Sequence, residues 1–142
     1  MSLIEKQSSG DKTIAGTTSP SEIEGLKQEF QQFSSYSLEE KKAGTWMGKQ
    51  RYSKTIYIPS LPNATSQSYP HNIANVDSIW IDTSNTFMDY KDGSTYPIPN
   101  VHMTTIGYQM TVSANRTSVT INSGTSNRSS ASAYVSVFYT KN

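Results

Sequence analysis

Two histidines and eleven acidic side chains are the groups in this chain that could hold a metal or move a proton, and there is no cysteine. The missing cysteine removes disulfides, thiolate zinc sites and thiol nucleophiles together. His71 and His102 follow Pro70 and Val101. A metal centre wants a third ligand at defined spacing, and no His-x-x-x-His pattern supplies one. Asp77, Asp82, Asp89 and Asp92 are spread through candidate strands and turns. Asp92-Gly93 reads as a turn and not a calcium loop, because no acids follow at EF-hand spacing. Glycoside hydrolysis needs two carboxylates across a cleft, yet every glutamate precedes Lys41. A Gly-x-Ser-x-Gly elbow, a phosphate-binding loop and a dinucleotide fingerprint are all missing from the sequence. The expectation is a non-enzymatic protein with no catalytic residue, no metal and no cofactor.

Tyrosine is the side chain that remains, with nine copies. Tyr69, Tyr90 and Tyr96 fall near turns, where a ring can stack on a sugar while neighbouring Asn, Asp and Ser read its hydroxyls. Tyr90, Tyr96, Asp92 and Asn100 are the predicted glycan-contacting set. They lie in the turn-rich segment 89–100, with segment 123–130 as a second outward-facing stretch. Trp80, in Ser78-Ile79-Trp80-Ile81-Asp82, is expected to pack in a core or between subunits, since consecutive apolar residues imply that both strand faces are covered. Three Asn-x-Ser/Thr triplets are no more than an Asn- and Ser-rich chain produces by chance.

These turns must be positioned by strands, and the hydrophobic period places them. Apolar residues at Ile23, Leu26, Phe30 and Phe33 are spaced 3, 4, 3, the a/d seam of a short helix. Ser19 caps, Pro20 sits at the first helical position, and Glu22 completes a capping box. After Gly44 the period changes to two, with Tyr52, Lys54, Ile56 and Ile58 on one strand face. Trp46 and Arg51 flank a turn over 47–50, which predicts a hairpin. Strands are expected over 50–58, 66–69, 76–82, 86–90, 105–113, 117–122 and 132–140. Short alternating strands with polar turns predict an all-β fold, an antiparallel β-sandwich or jelly roll, preceded by the α-helical stalk.

Composition points the same way. Of 142 residues only 34% are hydrophobic, mean hydropathy is −0.58, and Ser, Thr and Asn make up about a third. That is a lean core for a monomer, so an oligomer is the natural remedy. A net charge of +1 suggests no nucleic-acid partner. The N-terminus has no apolar signal-like run, and no stretch of about 18 apolar residues predicts a membrane span. The expected layout is an arm at 1–18, a coiled-coil stalk at 19–35 and a β head at 36–142. At about 1.5 Å per residue the stalk is roughly 20 to 25 Å long.

The wording Gly44-Thr45-Trp46-Met47-Gly48-Lys49-Gln50-Arg51-Tyr52-Ser53-Lys54-Thr55-Ile56, with Leu61-Pro62-Asn63 and His71-Asn72-Ile73 downstream, resembles the C-terminal head module of bacteriophage fibre proteins. The resemblance covers roughly residues 36–142. It implies a homotrimer; the expected protein is a virion fibre assembled in the bacterial host cytoplasm, whose polar arm at residues 1–18 anchors to a capsid or tail protein. It also implies a head that adheres to host or environmental surfaces, and the tyrosine-rich turns make glycans the expected target. The short stalk favours a capsid-attached head fibre over a short receptor-binding tail fibre or spike. A glycan-degrading spike and a cellular lectin-like sandwich are the remaining alternatives.

Overall fold

The computed structural model describes residues 22–24, 36–101 and 103–142. The chain divides into two units, residues 1–32 and 33–142. In the first, residues 22–24 are helical and Ile23 is 48% exposed. The other seam residues, Leu26, Phe30 and Phe33, lie outside the described residues, as do the expected arm and His102.

Antiparallel strands build the second unit: β1 (Lys41–Trp46), β2 (Lys49–Ile58), β3 (Ser66–Pro70), β4 (Val76–Ile81), β5 (Phe87–Asp89), β6 (Thr95–Pro97), β7 (Thr111–Ala114), β8 (Ser118–Asn122) and β9 (Ser132–Lys141). One sheet runs β1-β2-β9-β5-β6, with β4 also on β9, and a second runs β3-β8-β7. The hub is β9. β2 pairs with it along one edge, from Tyr52↔Tyr139 to Ile58↔Ala133. Its other edge is shared, by β5 at Phe87↔Tyr134 and by β4 at Ile81↔Val137.

Alternation in β9 explains this central place. Ala133, Val135, Val137 and Tyr139 point one way and are wholly buried. They join Ile56 and Ile58 of β2, Met88 of β5, and Val119 and Ile121 of β8 in a single cluster. Both sheets therefore bury their apolar faces in a common core. Each large aliphatic side chain so buried contributes about 1.5–3 kcal/mol. The opposite face of β9 is aromatic. Tyr134 sits between Tyr57 (5.1 Å) and Phe87 (5.4 Å), and Phe138 lies 6.2 Å from Trp80, which in turn meets Trp46 at 5.1 Å. Arg51 covers the Phe138 ring at 4.2 Å. Trp80 is thus half-buried in an aromatic row on the face away from the core cluster.

Each of the seven expected strands is present, with differences that have local causes. The first hairpin turns on two residues only, Met47 (φ 51°) and Gly48 (φ 80°), so that Trp46 pairs with Lys49. Two left-handed residues match the twist of the flanking strands. The sequence sets no bounds for β1, the first arm of the expected hairpin, because a bulge between Lys42 and Thr45, at Gly44 (φ 80°), breaks its alternation. β6 is three residues long and ends in Pro97, which reads as a break. The expected strand 105–113 begins later, because Ile106–Tyr108 forms a 3-10 turn ahead of β7. Among the described residues no helix is long and apolar enough to cross a membrane.

Candidate functional site: a tyrosine-lined cleft

The two turn-rich segments singled out in the sequence meet in space. Tyr90, Asp92, Tyr96 and Asn100 line one cleft of about 420 Å³, together with Met88, Ser94, Tyr108 and Arg128. That volume lies within the range of small-ligand sites, about 300–1,000 Å³. Met88 is buried where the cleft meets the core, and the tyrosine rings come from the β5–β6 hairpin and from the 3-10 turn at Ile106–Tyr108.

Each wall is fixed by short-range chemistry. The β5–β6 hairpin carries Tyr90 and Tyr96, whose rings meet edge to face at 5.8 Å. Its turn is closed by Tyr90 N–H donating to Ser94 O (3.2 Å). Asp89 Oδ1 accepts the Lys91 N–H (2.7 Å), and Asp92 Oδ1 accepts both the N–H and the hydroxyl of Ser94. These are Asx turns, in which a carboxylate substitutes for a backbone acceptor. The Ser94 donors hold the Asp92 carboxyl below its usual range. Asn100 exchanges both backbone hydrogen bonds with Met110, at 3.0 and 2.9 Å, and so ties the far lip to the strand region.

Tyr108 and Arg128 complete the cleft. The 3-10 turn carrying Tyr108 is held by Thr125, whose N–H donates to Gly107 O (2.8 Å). Backbone comes very close here, since a Cβ at Gly107 would collide with Thr125 and one at Gly124 with the Gly107 carbonyl. Arg128 is anchored through its backbone, donating to Pro62 O (3.0 Å) and accepting from Ala131 N–H (3.0 Å). Its Nη1 donates to the Tyr90 hydroxyl (2.7 Å) and its Nη2 to Tyr108 O (3.1 Å), with the guanidinium 5.9 Å from the Tyr108 ring centre. Arg128 therefore stitches the two turn segments together. The sequence marked segment 123–130 by its small hydroxyls and overlooked this arginine and Tyr108. Only the Asn127-Arg128-Ser129 Asx turn, closed by Ser129 N–H on Asn127 Oδ1 (2.9 Å), was a local sign of an arginine on a rigid corner.

No family model, curated protein or solved structure matches this chain. The cleft's chemistry must be read from its own residues. Tyr96 and Tyr108 are 46% and 45% exposed, so their rings present apolar area to a ligand. Tyr90 is half-buried against the core and serves as support for Tyr96. Tyr69 is elsewhere, packed on the core from β3 with its hydroxyl on Ser60 O (3.3 Å).

Outside the cleft, His71, Asp77 and Asp82 have hydrogen-bond or ion-pair partners within the fold. His71 is buried, with Nδ1 accepting the Ile73 N–H (3.1 Å) and Nε2 2.9 Å from Asn115 O. With Nδ1 as acceptor the proton sits on Nε2, so both ring nitrogens are engaged. Asp77 pairs with Lys49, and Asp82 accepts from Tyr36, Ser84 and Asn85. A second cavity, of about 290 Å³, lies on the aromatic face between Tyr36, Leu38, Phe87 and Tyr134, above Thr55 and Ser136. It has fewer convergent polar groups than the tyrosine cleft.

Proposed function

We propose that this protein is a non-enzymatic bacteriophage virion fibre whose β head adheres to glycans through the tyrosine cleft. In this reading the two sheets form a jelly-roll-like β-sandwich, residues 19–35 bundle as a trimeric coiled-coil stalk, and residues 1–18 attach to the particle. A capsid-attached head fibre is the first assignment, and a short receptor-binding tail fibre or spike is the second. The observation that carries adhesion is the convergence of Tyr90, Tyr96 and Tyr108 with Asp92, Ser94, Asn100 and Arg128 in one cleft. Exposed rings supply stacking area, and the surrounding amide, hydroxyl and carboxylate groups supply hydrogen bonds to sugar hydroxyls.

Weak single sites suffice in such a particle. Three heads per fibre and many fibres per virion raise the effective concentration, so that millimolar contacts hold a surface. The test is retention of the purified protein on host cell-wall polymer, followed by an assay for newly released reducing ends. Retention without release supports the adhesin. Release of reducing ends would establish a glycan-degrading spike instead.

A further inference from the structure

We propose that the tyrosine cleft selects acidic saccharides, units bearing a carboxylate or a phosphate, and that Arg128 is the residue that reads the acid group. This rests on the adhesive reading above and adds the ligand class. The charges around the cleft are unequally committed. Asp92 keeps its negative charge at the exposed lip, with one carboxylate oxygen turned onto both donors of Ser94 inside its own turn, so an acidic ligand is directed to the Arg128 end of the cleft. Asp89 is likewise occupied by the Lys91 N–H. Lys91 points its ammonium toward the Tyr57 hydroxyl (3.5 Å).

Arg128 differs. A guanidinium carries five N–H donors, and among the described residues this one makes hydrogen bonds only to the Tyr90 hydroxyl and the Tyr108 carbonyl, both neutral acceptors. Its Nε is buried with no acceptor and out of a ligand's reach, which leaves the second N–H of Nη1 and of Nη2 as the donors for a ligand. The cation is half-buried, with no carboxylate partner among the described residues. Its position is rigid, because the backbone is held on both sides and the planar group lies over the Tyr108 ring. A fixed guanidinium with unused donors beside exposed tyrosine rings is suited to a planar carboxylate or a phosphate carried on a sugar ring, since charge-assisted forked hydrogen bonds are the strong ones. The rings hold the sugar face and the arginine discriminates the acid. Neutral sugars satisfy only the first half.

The experiment measures binding of the full chain to three probes by titration calorimetry: oligogalacturonate, its carboxyl-reduced neutral oligogalactose, and the same oligogalactose phosphorylated at O6. The expected result is preference of about tenfold or more for an acidic probe over the neutral one, lost in Arg128→Gln and partly kept in Arg128→Lys. The two acidic arms distinguish a carboxylate from a phosphate. Wild-type affinity for the acidic probe should also fall between about 0.05 and 0.5 M salt, as screening predicts; this readout stands even where Arg128→Gln lowers the melting temperature. Equal, salt-independent binding of acidic and neutral probes, abolished by Tyr96→Ala, would overturn the acidic selectivity and leave the adhesive cleft standing. No binding of any probe to the wild type, with Tyr96→Ala indistinguishable from it in cell-wall retention, would overturn both.

Discussion

The Thr86 hydroxyl takes the place of a missing backbone carbonyl opposite Ser136. Along its second edge β9 passes from pairing with β5 to pairing with β4, and residues 82–86 loop out across the junction. The Ser136 N–H donates to Thr86 Oγ1 (3.0 Å), while the Ser136 carbonyl accepts from Asp82 N–H (2.8 Å). Thr86 Oγ1 in turn donates to Asp82 O (2.8 Å), and the Thr86 and Ser136 side chains are buried. One side chain thus lets a single strand serve two partners in different registers.

Thr86→Val keeps the shape and removes the acceptor, leaving the Ser136 N–H buried and unpaired. Urea unfolding should show a loss of about 1–3 kcal/mol. Thr86→Ser, which keeps the oxygen, should lose clearly less. Equal losses for the two would mean that the methyl group and not the hydroxyl matters.

Glu40 makes stability depend on acid. Burial by itself would raise its carboxyl, but hydrogen bonds from Lys141 and Tyr139 (both 2.7 Å) outweigh burial and hold it below the ordinary range. Conversely, the Tyr139 hydroxyl is pushed up by burial and then by Glu40. A carboxyl depressed in the folded state binds its proton first in the unfolded chain. Its contribution is therefore complete above the ordinary carboxylate pKa and lost as pH falls through the lower folded value. Melting temperature measured from about pH 6 down to pH 3 should drop less steeply in Glu40→Gln than in wild type.

The approach of Gly124 to the Gly107 carbonyl fixes the turn that carries Tyr108. Gly124 also has φ 65°, which costs an L-residue strain. Gly124→Ala should destabilise the chain by about 1–3 kcal/mol and displace Tyr108. Near-ultraviolet circular dichroism would follow the tyrosine, and calorimetric unfolding the stability.

Tyr96→Ala and Tyr90→Ala should separate binding from folding. Tyr96 is 46% exposed, so its removal should cost retention on cell-wall polymer with little change in melting temperature. Tyr90 packs against the core and accepts from Arg128. Its truncation should lower melting temperature as well. A matched collapse in both variants would show that Tyr96 is structural.

Assembly is testable without the cleft. Sedimentation equilibrium of the full chain should give three times the 15.7 kDa chain mass. If the proposed stalk seam forms, Phe30→Ala should weaken that association, since truncating a ring in such a seam costs about 3–5 kcal/mol. A monomer at micromolar concentration would end the trimeric reading.

Much of the fold was legible because strand chemistry is local. Alternation of period two marked β2, and short alternating strands separated by polar turns marked the rest of the expected set. The candidate cleft residues Tyr90, Asp92, Tyr96 and Asn100 were legible for the same reason, lying within eleven consecutive positions of one turn-rich segment. The extent of β1 and the whole of β6 were hidden, since a glycine bulge erases alternation in one and a proline ends the other. Tertiary structure alone decided that β9 sits at the centre with two partners on one edge, because that choice depends on which apolar faces can be buried together. It alone brought Arg128 to Tyr90, 38 residues away in sequence. No periodicity encodes such a contact; it exists only because both sheets close over the same core and carry their corner turns to one side.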